Sequence, residues 1–68
     1  MLTIYLKSGA VIDVPTFKEV SYYSAGKLKT ITQETIDNLY ISPGLTYKFK
    51  GDKTVILNGD EIQYLEII

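Results

Sequence analysis

Glycine-bearing turn signals punctuate this chain at Ser8-Gly9, Ala25-Gly26, Pro43-Gly44, Gly51-Asp52 and Asn58-Gly59. Between them apolar and polar residues alternate with a period of two, the repeat of a strand with one face in a core and the other in solvent. The spacing predicts an all-β fold of roughly five to seven short strands, a small antiparallel barrel or sandwich of the SH3-like or a related kind. Helical periodicity is confined to Thr35–Tyr40, where Ile36, Leu39 and Tyr40 fall at i, i+3 and i+4. A single turn does not sustain a helix.

Sixty-eight residues form one domain, 1–68, because a chain of this size buries only about 60% of its unfolded surface and has no material for a second core. Ordering costs about 1.5 kcal/mol per residue, so the balance for so small a fold lies near zero and association is a standard remedy. The chain contains no His, Cys, Trp or Arg. That removes the usual metal ligands, thiol nucleophiles, imidazole bases and guanidinium clamps together.

Acid–base chemistry is left to carboxylates, Lys and Tyr. Asp60-Glu61 is the densest acidic pair, but strand neighbours point to opposite faces, and Asp after Asn-Gly is ordinary turn chemistry. Asn58, Asp60 and Asp52 lack the spacing of a calcium loop and its terminal bidentate Glu. Phosphate-loop and dinucleotide fingerprints are missing too. The reading is of a protein that is not an enzyme, with no catalytic or metal-binding residues and no cofactor.

Registers follow from arithmetic. A two-residue Ser8-Gly9 turn would set Ile4 against Asp13. A three-residue Lys7-Ser8-Gly9 loop, with Gly9 left-handed, pairs Leu6 with Ala10, Ile4 with Ile12 and Leu2 with Val14, and gives one wholly apolar face. Tyr5 and Val11 then meet on the outside, and Pro15 ends the strand. A second hairpin is predicted from Lys18–Tyr23 and Leu28–Gln33, pairing Tyr22 with Leu28 and Val20 with Thr30, with Tyr23, Ser21 and Lys29 outward. A turn at Asp37-Asn38 and a strand Leu39–Ile41 should follow. Across a two-residue Gly51-Asp52 turn, Phe49 faces Thr54, Tyr47 faces Ile56, and Lys50 sits opposite Lys53. Asn58-Gly59 is expected to make a further hairpin, with a bulge or longer loop at Asp60 that sets Ile62 against Ile56. The expected core is Leu2, Ile4, Leu6, Ile12, Val20, Tyr47, Phe49, Ile56 and Ile62.

The closing run places Ile62, Tyr64 and Ile68 on one side and Leu65 and Ile67 on the other. Something must cover the second side, either the first hairpin or another subunit. With Tyr5 and Val11 supplying a second apolar strip, Tyr5, Val11, Leu65 and Ile67 are the candidate oligomer contact. The partners expected are a second copy, in a two-fold dimer, and an unidentified protein. The alternative is a small β-barrel that binds single-stranded nucleic acid by stacking and phosphate contacts, using Tyr5, Tyr23, Lys27, Lys29, Lys48, Lys50 and Lys53. Against it stand a net charge of −1 and the lack of Arg, which leave little counterion release to drive binding.

The opening Leu-Thr-Ile-Tyr-Leu-Lys-Ser-Gly-Ala-Val-Ile-Asp-Val and the closing Asp-Glu-Ile-Gln-Tyr-Leu-Glu-Ile-Ile resemble the first hairpin and final strand of short proteins, mostly of unassigned function, encoded by phages and prophages of Gram-positive bacteria. The resemblance covers about a third of the chain and carries over no residue roles. The opening hairpin is also similar to strands of Sm-like RNA-binding barrels, but their N-terminal helix and Asp-x-x-Asn-like loop have no counterpart here. The absence of Cys fits a reducing compartment. With no long apolar stretch and no leader ahead of Leu2-Thr3-Ile4, the chain reads as soluble and cytoplasmic, with no membrane partner.

Overall fold

The computed structural model describes residues 1–68 as seven strands in two antiparallel sheets. The strands are β1 (Leu2–Leu6), β2 (Val11–Val14), β3 (Glu19–Ser24), β4 (Lys27–Thr32), β5 (Thr46–Lys50), β6 (Thr54–Asn58) and β7 (Ile62–Ile67). One sheet has the order β2-β1-β7 and the other β4-β3-β5-β6. They are not joined edge to edge, so of the barrel and the sandwich the fold is sandwich-like. Single 3₁₀ turns occupy Ile36–Asn38 and Gly59–Glu61.

The first hairpin has the register that its alternation demands. Leu2 pairs with Val14, Ile4 with Ile12 and Tyr5 with Val11. Gly9, at φ +96°, lets the Lys7–Gly9 loop close where a side chain would be strained. Pro15 follows β2, and the chain turns a corner in which Phe17 is buried between the sheets.

The second hairpin is one residue out of its expected register. Val20 pairs with Ile31, Tyr22 with Lys29 and Tyr23 with Leu28, around a two-residue turn at Ala25-Gly26. Both turn residues have positive φ, 54° for Ala25 and 78° for Gly26, as a type I′ hairpin requires. Alanine carries no turn signal of that kind, but the pairing of Val20 with Ile31 repays its strain by keeping two apolar side chains together.

The β5–β6 hairpin also shifts by one. Phe49 faces Val55, Tyr47 faces Leu57 and Lys50 faces Thr54 across a Gly51–Lys53 loop. Ile56 therefore points outward and is 57% exposed, in place of the core position expected for it. Gly51 opens this loop and also serves contact: a Cβ there would sit 2.6 Å from the Thr16 carbonyl oxygen at the Pro15–Lys18 corner.

Asn58-Gly59 makes no hairpin, because β6 and β7 belong to different sheets. The Gly59–Glu61 turn is the crossover between them, so Asp60 and Glu61 lie in that turn and not on a strand. The Gly59 N–H donates to the Leu45 carbonyl at 2.7 Å, and a Cβ on Gly59 would overlap the Ser42 carbonyl oxygen. No strand forms over Leu39–Ile41. That segment is held by the buried Tyr47, whose Oη accepts from the Ser42 N–H at 2.8 Å and donates to the Tyr40 carbonyl at 3.1 Å.

Along β7 the pairing runs Leu2–Ile67, Ile4–Leu65, Tyr5–Tyr64 and then Leu6–Ile62, so Gln63 is an extra residue opposite the Tyr5–Leu6 step. A bulge reverses the phase of the alternation. Ile62 and Leu65, expected on opposite sides, both pack on the core, whereas Tyr64 faces outward. The first hairpin does not cover Leu65 and Ile67, because β1 and β2 lie beside β7 in the same sheet. Ile36, Leu39 and Ile41 lie across a groove of about 390 Å³ from them; Leu65 packs on the core, whereas Ile67 stays 47% exposed.

The buried apolar residues are Leu2, Ile4, Val14, Phe17, Val20, Ile36, Tyr47, Phe49 and Ile62, with Leu6 and Ile12 packed against them. Two outcomes follow for unfolding in denaturant. Gly59→Ala should lose about 2 kcal/mol or more by overpacking, while Gly44→Ala, with open space around it, should stay within about 0.5 kcal/mol of the parent. Tyr47→Phe should cost about 1–2 kcal/mol and selectively speed amide exchange at Ser42.

Candidate functional site

Period-two alternation that fills one core from both sheets leaves two outer faces, pointing away from each other. Each carries more apolar surface than a solvated sheet needs, and the charges on the two differ in sign.

On the β2-β1-β7 sheet, registers align two rows across the strands. Val11, Tyr5 and Tyr64 form one; Asp13, Thr3 and Glu66 form the other. The Tyr5 and Tyr64 rings are stacked, with centroids 4.3 Å apart and planes at 17°. Val11 and Tyr64 are half exposed. Thr3, buried on the middle strand, donates from Oγ1 to Asp13 Oδ1 at 2.9 Å, and Tyr5 Oη donates to Glu66 Oε1 at 3.1 Å. The hydrogen bond to Glu66 holds the Tyr5 phenol above its usual range; desolvation and the neighbouring charges of Glu66, Tyr64 and Asp13 act in the same direction. The strands of this face bring carboxylates and no lysine.

The four-stranded sheet presents a different face. The burial of Val20, Tyr47 and Phe49 turns Glu19, Ser21, Tyr23, Thr46, Lys48 and Lys50 outward. Lys48 stands between Ser21 and Ile56, with no carboxylate across either neighbouring strand. Lys50 stands between Glu19 and Thr54. Tyr23 and Leu28, paired across β3 and β4, are 64% and 58% exposed. Together with Ser21, Leu45, Lys48 and Lys50 they border an open groove of about 450 Å³.

The candidate residues fall into separate places. Tyr5 and Val11 share the tyrosine row, which Tyr64 extends. Leu65 and Ile67 lie on the opposite, core-side face of the same sheet, so the four do not make one contact surface. Of the candidates for nucleic acid, Tyr23, Lys48 and Lys50 come together at the groove. Lys27 and Lys29 pair with Ser24 and Tyr22, which puts them on the core-side face of β4, where both are exposed, and not outward as expected for Lys29. Lys53 sits in the Gly51–Lys53 loop, and Tyr5 is on the other sheet.

Leu28, Ile56 and Tyr64 were missed as surface residues because their strands pair one residue away from the expected register or pass through the bulge. Glu66 carried no signal until β7 was paired with β1. No group of three or more acidic side chains converges on a point where a metal ion would sit, and no helix is long and apolar enough to cross a membrane. No protein-family model matches the chain, and neither curated proteins nor solved structures give a match.

The Tyr5–Glu66 pair is accessible to titration. Tyr5 should ionise above its ordinary value near 10, and Glu66→Gln should move it back down, as read by ring chemical shifts. Because the folded chain holds this proton more tightly, its contribution is complete below the unfolded tyrosine pKa. It is lost as pH rises through the higher folded one, so stability should decline over that window in the parent and less in the variant.

Proposed function

We propose that this chain is a non-catalytic protein–protein interaction module, of the kind that phages and prophages of Gram-positive bacteria encode, and that it assembles with copies of itself through the outer faces of its sheets. The observation that carries this reading is the exposure of large apolar side chains on both faces, Val11 and Tyr64 on one and Tyr23, Leu28 and Ile56 on the other. A lone solvated sheet face reads polar; faces that expose several large aromatic and aliphatic side chains beside charges read as contact surfaces. Small size without disulfide or metal gives association a thermodynamic role as well. The return of β7 beside β1 after a single 3₁₀ turn supports an SH3-like description of the fold. A chain with no cysteine to oxidise suits the bacterial cytoplasm.

Single-stranded nucleic acid is the second reading, favoured by one observation: Tyr23, Lys48 and Lys50 border the same groove. Two lysines, one of them beside Glu19, make a short electrostatic track.

Light scattering behind size exclusion tests the first reading. At low salt and on the order of 100 µM chain, where even weak interfaces are populated, the mass should exceed the 7.7 kDa of one chain. A monomer mass throughout would overturn it. Fluorescence anisotropy with labelled single-stranded DNA and RNA decides the second reading. Binding that falls steeply with salt and disappears in Lys48→Ala/Lys50→Ala would put nucleic acid in place of protein.

A further inference from the structure

The two outer faces are complementary to each other, not each to itself. On the β2-β1-β7 sheet, Asp13 and Glu66 flank Thr3 at two strand spacings, about 10 Å apart. Beside them runs the Val11–Tyr5–Tyr64 row. On the four-stranded sheet, Lys48 and Lys50 are two residues apart on one strand face, about 7 Å. Around them lie Tyr23, Leu28 and Ile56. Placing either face against its own copy by a two-fold axis would set like charges near each other or lay charged side chains on the copy's apolar ones, with no opposite charge to meet them. Placing one face against the other sets lysines near carboxylates and apolar rows near apolar rows.

We propose that the partner is a second copy of this chain docked head to tail, the lysine groove of one protomer taking the Asp13–Glu66 tyrosine face of the next. The proposal rests on the interaction-module reading and adds the mode of pairing. Because the faces point away from each other, each docked copy offers a fresh groove or a fresh acidic face. Such heterologous contacts close into rings only when the rotation permits and otherwise build open stacks. The assembly therefore grows with concentration instead of stopping at a dimer, and salt weakens it because the complementary charges are at the surface. Glu19 beside Lys50 tempers the basic face, so Lys48 contributes more than Lys50.

Charge reversal tests this directly by light scattering at low salt. Lys48→Glu/Lys50→Glu and Asp13→Lys/Glu66→Lys should each weaken association at least about tenfold on their own. An equimolar mixture of the two should restore it, and so should one chain carrying all four substitutions. Circular dichroism and thermal unfolding establish that each variant folds. Lys48→Gln/Lys50→Gln and Asp13→Asn/Glu66→Gln, which remove charge without adding any, stand in for a reversed variant that does not. If the wild-type chain associates but the mixture stays as weak as its components, head-to-tail pairing is rejected and the interaction-module reading survives. A fixed dimer mass at all concentrations rejects the proposal in the same way. A wild-type chain that remains monomeric overturns both.

Discussion

The pairing of β7 with β1 is the constraint on which the rest of the structure depends. It joins the two ends of the chain: the Met1 amine donates to the Ile68 carbonyl at 2.8 Å, and the Ile68 N–H donates to the Met1 carbonyl at 2.9 Å. Closing a loop of this length costs little more than closing a shorter one, since the entropy grows only logarithmically. What it secures is a central strand with neighbours on both sides. Leu2 and Ile4 on β1 are fully buried as a result, and β2 and β7 each bring a partner side chain toward the same core. Without that pairing the first hairpin would be an isolated two-stranded ribbon, which is marginal in water.

The Gln63 bulge converts this pairing into two chemically distinct faces. In unbroken alternation Ile62 and Tyr64 share a side, and either Ile62 or Leu65 faces solvent. The extra residue lets Ile62 and Leu65 face inward and turns Tyr64 out to stack on Tyr5. On the other sheet the same periodicity acts without interruption: burying Tyr47 and Phe49 turns Lys48 and Lys50 outward. The opposed charges of the faces thus follow from which residues the core takes. Tyr47 contributes twice, through its ring in the core and its hydroxyl at the Tyr40 and Ser42 backbone. Through that hydroxyl it fixes the segment across the groove from Leu65.

Legibility in the sequence tracks how local the deciding interaction is. The Leu2–Val14 hairpin is readable in full, because one register alone makes an apolar face and Gly9 supplies the loop conformation. The outward direction of Lys48 and Lys50 is readable for the same reason. The second hairpin slips because Ala25 takes a left-handed conformation that only the pairing of Val20 with Ile31 makes worthwhile. Gly51 and Gly59 mislead in another way. Each looks like a turn residue and is also used for close approach, to Thr16 and Ser42, contacts that exist only once the sheets have packed. Ile36–Ile41 was unreadable as the far wall of the Leu65 groove because the strand opposite it lies far along the chain. Of the two faces, the basic one was legible in Tyr23, Lys48 and Lys50 but not in Leu28 and Ile56, whereas the acidic one needs Glu66 from β7 beside Thr3 from β1.

Deleting Gln63 tests most directly the claim that one extra residue sends two apolar sets into one core. Removing it restores strict alternation and forces Ile62 or the Leu65–Ile67 pair into solvent, whereas Gln63→Ala keeps the residue count and changes only an exposed side chain. In guanidinium unfolding the deletion should lower stability by about 2–4 kcal/mol, the cost of exposing a large aliphatic side chain and leaving its cavity, and Gln63→Ala should change it by less than about 0.5 kcal/mol. A deletion variant whose midpoint and slope match the parent's would contradict the account.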